Sequence, residues 1–183
     1  MILIINVCFD RLNELEFVEP ISNIVKKASI DFCIKHYLEI SSNELNKADG
    51  IIICGTSLKD FEYLNHIDAF DYLKGINKPI LSICAGMQII AKMFGCELLD
   101  EKMIGQYMVK VEKQSPLSPR NEFLSYFLVT KIVKINNSFD VIATTDNIAS
   151  MIKQKDQEIY GCLFHPEVLN TEIIVNFCKI ALS

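Results

Sequence analysis

Pro79-Ile80-Leu81-Ser82-Ile83-Cys84-Ala85-Gly86-Met87-Gln88 is the stretch that decides the fold of this chain. A short, uninterrupted apolar run ends at a cysteine and passes at once into residues that suit a helix. Runs of that kind are strands buried on both faces, and such strands belong to parallel sheets. The helix that follows spans Gly86 to Phe94, with Gly95 as its stop signal. A sharp strand-to-helix turn lifts the side chain at its apex clear of the sheet. It also sets that side chain against free helix N–H groups, whose positive end favours a thiolate over a thiol. Ala85 and Gly86 are the small residues that let the helix pass close to the sheet. This is nucleophile-elbow logic with sulfur in place of oxygen.

Upstream, the same alternation repeats. Ile2–Val7 is a continuous apolar strand. Glu14 to Ala28 places Leu15, Val18, Ile21, Ile24, Val25 and Ala28 at helical spacing, with Pro20 either kinking that helix or sitting in a first turn. Ile30–Ile40 predicts a second strand, Glu44–Ala48 a short helix and Ile51–Cys54 a third strand. Asp60 to Lys74 predicts a helix stopped by Gly75. The resulting β-α-β-α-β-α-β-α order implies a parallel sheet flanked by helices. After Cys96 the texture changes. Tyr107–Glu112, Phe127–Ile135, Phe139–Thr145, Ala149–Lys153 and Ile159–Phe164 read as strands joined by short turns. Gln114–Asn121 is a loop, and Thr171–Leu182 a final helix. The expected fold is one α/β domain over residues 1–183. It has a mostly parallel, flavodoxin-like central sheet with added antiparallel strands in the C-terminal half.

Composition narrows the function. The 183 residues suit one domain, and with half of them hydrophobic and only 12 Gly plus Pro the chain is not disordered. A formal charge of −5 is the wrong sign for holding a phosphate backbone, so nucleic acid is not the expected partner. No apolar run reaches the roughly 18–20 residues of a membrane span, and Met1–Val7 reads as a strand rather than a signal peptide. The seven cysteines are odd in number and form no C-x-x-C pair. At least five of them suit the interior of a reduced, cytoplasmic protein, and neither a metal nor an organic cofactor is expected.

Cys84 would need a base, and there are three histidines. His36 and His66 read as surface or capped residues. His165 follows an apolar strand, precedes Pro166 and stands two residues before Glu167. In an extended segment those two side chains point the same way, so the carboxylate could hold one imidazole nitrogen while the other faces a thiol. A polar turn before the last helix explains the same residues equally well.

Together, ICAGMQ around Cys84 and GCLFHPE around His165, 81 residues apart, resemble the class I glutamine amidotransferases. The likeness extends over the whole chain, and the run HPEVLNTE looks most like the free-standing glutaminase subunit of archaeal-type GMP synthetase. The resemblance implies a Cys84–His165–Glu167 triad that cleaves the side-chain amide of glutamine through a thioester. It implies oxyanion donors at the Ala85 amide and at Gly55 or Thr56, with Gln88 contacting substrate. It also implies that ammonia passes to an ATP-dependent synthetase subunit on a separate chain, since no phosphate-binding glycine loop occurs here.

Three departures from the family pattern stand out. Thr56 replaces a glycine, Ser82 replaces another, and Leu128-Val129 stands where the family has a Ser-His pair, with Lys131 where an acidic residue is usual. Two other functions fit the same residues: a stand-alone γ-glutamyl hydrolase, and a catalytically weak glutamine-sensing or regulatory subunit.

Overall fold

Apolar runs separated by turn residues set the order of elements in the computed structural model, which describes residues 1–183. The first half runs β1 (Ile2–Asn6), α1 (Glu14–Phe17), α2 (Glu19–Lys27), β2 (Phe32–His36), α3 (Ser42–Lys47), β3 (Gly50–Ile53), α4 (Glu62–Asn65), β4 (Ile80–Ile83) and α5 (Ala85–Met93). The second half runs β5 (Glu97–Val111), β6 (Glu122–Lys134), β7 (Phe139–Thr145), β8 (Ile148–Gln154), β9 (Ile159–Cys162), α6 (Pro166–Leu169) and α7 (Thr171–Ala181).

All nine strands form one sheet in the order β2-β1-β3-β4-β9-β8-β7-β5-β6. The first five in that order are parallel, which is the flavodoxin-like arrangement with β9 as its fifth strand. The remaining four are antiparallel. β1, β3, β4 and β9 are buried along their whole length, as continuous apolar runs require when helices flank the sheet. α2 packs with α7, and α5 packs with the 3₁₀ segment Ile67–Leu73.

Several boundaries differ from those the sequence predicts. The helix expected over Glu14–Ala28 is divided at Val18, and Pro20 sits in the first turn of α2, where its missing N–H is harmless. The strand expected over Ile30–Ile40 stops at His36, which caps a 3₁₀ turn by accepting from the Leu38 N–H. The helix expected over Asp60–Lys74 is a single α-turn followed by a 3₁₀ segment. His66 leaves helical geometry between them, and the following Ile67, Phe70 and Tyr72 are poor helix formers. The strand expected over Tyr107–Glu112 is much longer, because its turnless polar approach Glu97–Gln106 pairs with β6.

What positions the site is the close pass of α5. A Cβ built on Gly86 would stand 2.5 Å from the Ile53 carbonyl oxygen, and a backbone atom cannot yield as a side chain can. Gly86→Ala should therefore lower stability by about 1–3 kcal/mol, the usual effect of overpacking. Gly75→Ala, with no atom within 4 Å of the added carbon, should leave the urea midpoint where it was. Equal midpoints for the two variants would contradict this account.

Candidate active site

β4 and β9 are adjacent and parallel, with Ile83 opposite Cys162. Cys84 directly follows one strand and His165 closely follows the other, so both reach the C-terminal edge of the sheet. The Cys84 N–H continues the ladder by donating to the Cys162 carbonyl at 2.7 Å. The chain then turns so sharply that Cys84 takes φ +50°, ψ −104°, a strained backbone for a residue with a side chain. Ser82, two residues earlier on the strand, is fully buried, and its hydroxyl donates to the Tyr160 carbonyl at 2.7 Å. That bond is how serine is accommodated at this position.

His165 caps α6 and Glu167 lies within it, so the two are held by a helical turn rather than by an extended segment. The geometry still brings them together: Nδ1 and Glu167 Oε1 are 2.7 Å apart, with 2% of each side chain exposed. Nε2 is buried and has no hydrogen-bond partner. Burial alone would pull the imidazole pKa down. The Glu167 carboxylate and then the Cys84 sulfur outweigh it and hold His165 well above its ordinary value. Gly55 lies between the two motifs. A Cβ there would be 2.8 Å from His165 Cε1 and 3.3 Å from Cys84 Cβ, so side chains from the ends of β4 and β9 meet over that glycine.

β6 straps both groups, a role the sequence does not advertise because it uses main-chain atoms. The Tyr126 carbonyl accepts from the His165 N–H at 2.8 Å, and the Leu128 carbonyl accepts from the Cys84 thiol at 3.6 Å. The Phe17 ring covers the imidazole at a centroid distance of 5.5 Å. Its helical spacing with Ile21 is the only local signal for burial.

The remaining expected residues surround the same cleft. Ala85 is the first residue of α5, where N–H groups have no intrahelical partner. The N–H groups of Gly55 and Thr56 donate to no backbone carbonyl. Thr56 does not adopt positive φ, and its hydroxyl donates to Asp60 at 2.6 Å. Gln88 lines the cleft, but much of its carboxamide is engaged. Oε1 accepts from the Tyr63 hydroxyl at 2.5 Å, and Nε2 donates to the Lys131 carbonyl at 2.9 Å. The Lys131 ammonium pairs with Asp100 and lies over the Phe61 ring, 5.4 Å from its centroid. His36 and His66 lie apart from this site, the latter in an exposed pair with Glu62 at 3.1 Å.

The cleft over Cys84 encloses only about 10 Å³, room for one water. All seven cysteines are free. Burial pushes the Cys8 and Cys178 thiols up to about 11 and raises Cys54, Cys96 and Cys162 as well, which keeps these five protonated near neutrality. No group of three or more His, Cys, Asp and Glu side chains gathers as a metal site would require. No helix is long and apolar enough to cross a membrane.

The family model for class I glutamine amidotransferases matches residues 13–177. The chain belongs to that family. A curated relative, the glutamine-hydrolysing GMP synthase of Staphylococcus aureus, is 34% identical over 147 residues, which is 75% of this chain. The chain spans 28% of that relative's length. Among solved structures, a candidate GMP synthase subunit from Thermoplasma acidophilum superposes with a TM-score of 0.87 at 22% identity, covering 99% of this chain and 93% of that one. A glutamine amidotransferase of Thermotoga maritima gives a TM-score of 0.71 at 14% identity, covering 98% and 80%. At these identities the structural likenesses speak to the fold.

A raised His165 pKa has a consequence for stability. The folded state keeps this proton to higher pH than the unfolded chain does. The stabilisation is therefore full below about pH 6.5 and is lost as pH rises through the folded value. Urea unfolding between about pH 6 and pH 9 should show wild type losing stability faster than His165→Gln. Parallel pH profiles would contradict the raised value.

Proposed function

We propose that the chain hydrolyses the side-chain amide of glutamine and passes the ammonia to a synthetase on a separate chain. The observation that carries this reading is the buried His165–Glu167 pair at 2.7 Å, whose imidazole meets the Cys84 side chain over Gly55. Glu167 holds Nδ1, so Nε2 is the nitrogen left to exchange a proton with sulfur.

The steps follow from those positions. Cys84 gives its proton to His165 Nε2, and the thiolate attacks the amide carbon of glutamine. The tetrahedral oxyanion is met by the Ala85 N–H and by Gly55 or Thr56, a contribution of about 3–4 kcal/mol per donor. The C–N bond breaks, the nitrogen takes the proton from the imidazolium, and ammonia leaves behind a thioester. Water, deprotonated by the same imidazole, attacks the thioester, and glutamate departs as the thiol is restored. Gln88 orients the substrate amide with whatever hydrogen-bonding capacity Tyr63 and Lys131 leave it.

Ammonia released into water takes up a proton and loses its nucleophilicity, which favours transfer to a docked acceptor enzyme. The names of the Staphylococcus and Thermoplasma relatives make GMP synthesis the leading task and an ATP-dependent synthetase the leading partner. Seven free thiols suit a reducing, cytoplasmic setting.

Glutamate release from glutamine should fall at least about 10³-fold in Cys84→Ala, as loss of a covalent nucleophile requires. Measured with wild type and variant side by side, equal rates would reject the proposal.

A further inference from the structure

The cleft over Cys84 contains one carboxylate and no cation. That carboxylate is Asp60, and it also lines the neighbouring cavity of about 360 Å³. The larger cavity opens at the C-terminal ends of β1 and β3, where the strand order reverses and α/β folds bind ligands. Asp60 thus stands on the wall between a closed reacting centre and the space outside it.

Its side chain is fixed by protein groups that leave its charge unmatched. Oδ2 accepts from the Phe9 N–H at 2.8 Å and from the Thr56 hydroxyl at 2.6 Å, and Oδ1 accepts from the Glu62 N–H at 3.3 Å. All three donors are neutral. A carboxylate has about four acceptor sites, so one remains, together with a full negative charge. Asp60 and Cys84 line the same cleft, together with the buried Tyr63. Lys59 is the one cation on the wall of the outer cavity.

We infer that Asp60 binds the α-ammonium group of the amino-acid substrate and selects against amides that lack one. The inference rests on the proposed function, since it places the substrate's reacting amide at Cys84. The α-amino group at the other end of the short side chain then falls toward Asp60. The α-carboxylate beside it faces Lys59. A charged hydrogen bond is the kind of contact whose loss discriminates strongly between substrates.

The test is covalent labelling of Cys84 in the intact chain, read by mass spectrometry. The probes are the chloromethyl ketone analogue of glutamine, the same ketone without its α-amino group, and iodoacetamide. Wild type should label faster with the amino-bearing ketone by about tenfold or more. Asp60→Asn can still accept from Phe9 and Thr56, and should bring the two ketones to within about threefold while iodoacetamide labelling stays unchanged. Asp60→Glu, which restores the charge, should recover part of the preference. A preference kept intact in Asp60→Asn, or absent from wild type, overturns the assignment. A wild-type Cys84 that labels no faster than the other thiols with either ketone instead rejects the glutamine reading on which it rests.

Discussion

The pairing of β4 with β9 is the contact on which the rest of the site depends. These strands are almost eighty residues apart along the chain, yet their register sets Ile83 opposite Cys162. The Cys84 N–H then extends the ladder by one bond before the chain turns. A parallel ladder fixes how far each strand has advanced at the sheet edge. The register thus brings the sulfur and, two residues further along its own chain segment, the imidazole to the same edge of the sheet without any direct bond having to pull them together. Shifting the register by one residue would exchange the faces of every side chain on β9.

A second layer of constraint keeps the two groups from relaxing. Cys84 holds a positive φ because α5 is pressed against β3 at Gly86, and the helix has no room to unwind. β6 crosses over both motifs and binds each through a main-chain carbonyl, so its contribution survives changes of side chain at Tyr126 and Leu128. The same strap leaves room for about one water over the sulfur. Any molecule larger than water can reach the sulfur only if the wall between the cleft and the outer cavity, or the strap itself, moves.

Much of this was legible in the sequence, for identifiable reasons. Buried parallel strands are continuous apolar runs, so β1, β3, β4 and β9 could be read directly. A cysteine between such a run and small helix-forming residues marks an elbow, and His-Pro-Glu after another run marks a second sheet-edge turn. What escaped was geometry that depends on partners. The polar first half of β5 is a strand only because β6 lies beside it. The segment from Asp60 to Lys74 has helical spacing but adopts an irregular path around His66. Glu167 reaches His165 from within a helix, although the extended reading gave the same pair for a different reason. The covering by Phe17 and the two carbonyl straps come from distant elements, and no local pattern names His165 or Cys84 as what they contact.

The central claim is that the Cys84 sulfur and the His165 imidazole share one cleft and act on each other's charge. It is tested most directly by following the His165 ring protons by NMR as a function of pH, in wild type and in Cys84→Ala. The account predicts a wild-type pKa above the ordinary 6.5 that falls when the sulfur is removed, because that sulfur helps hold the imidazole's proton. An imidazole that titrates identically in the two proteins would place the groups out of contact and contradict the account.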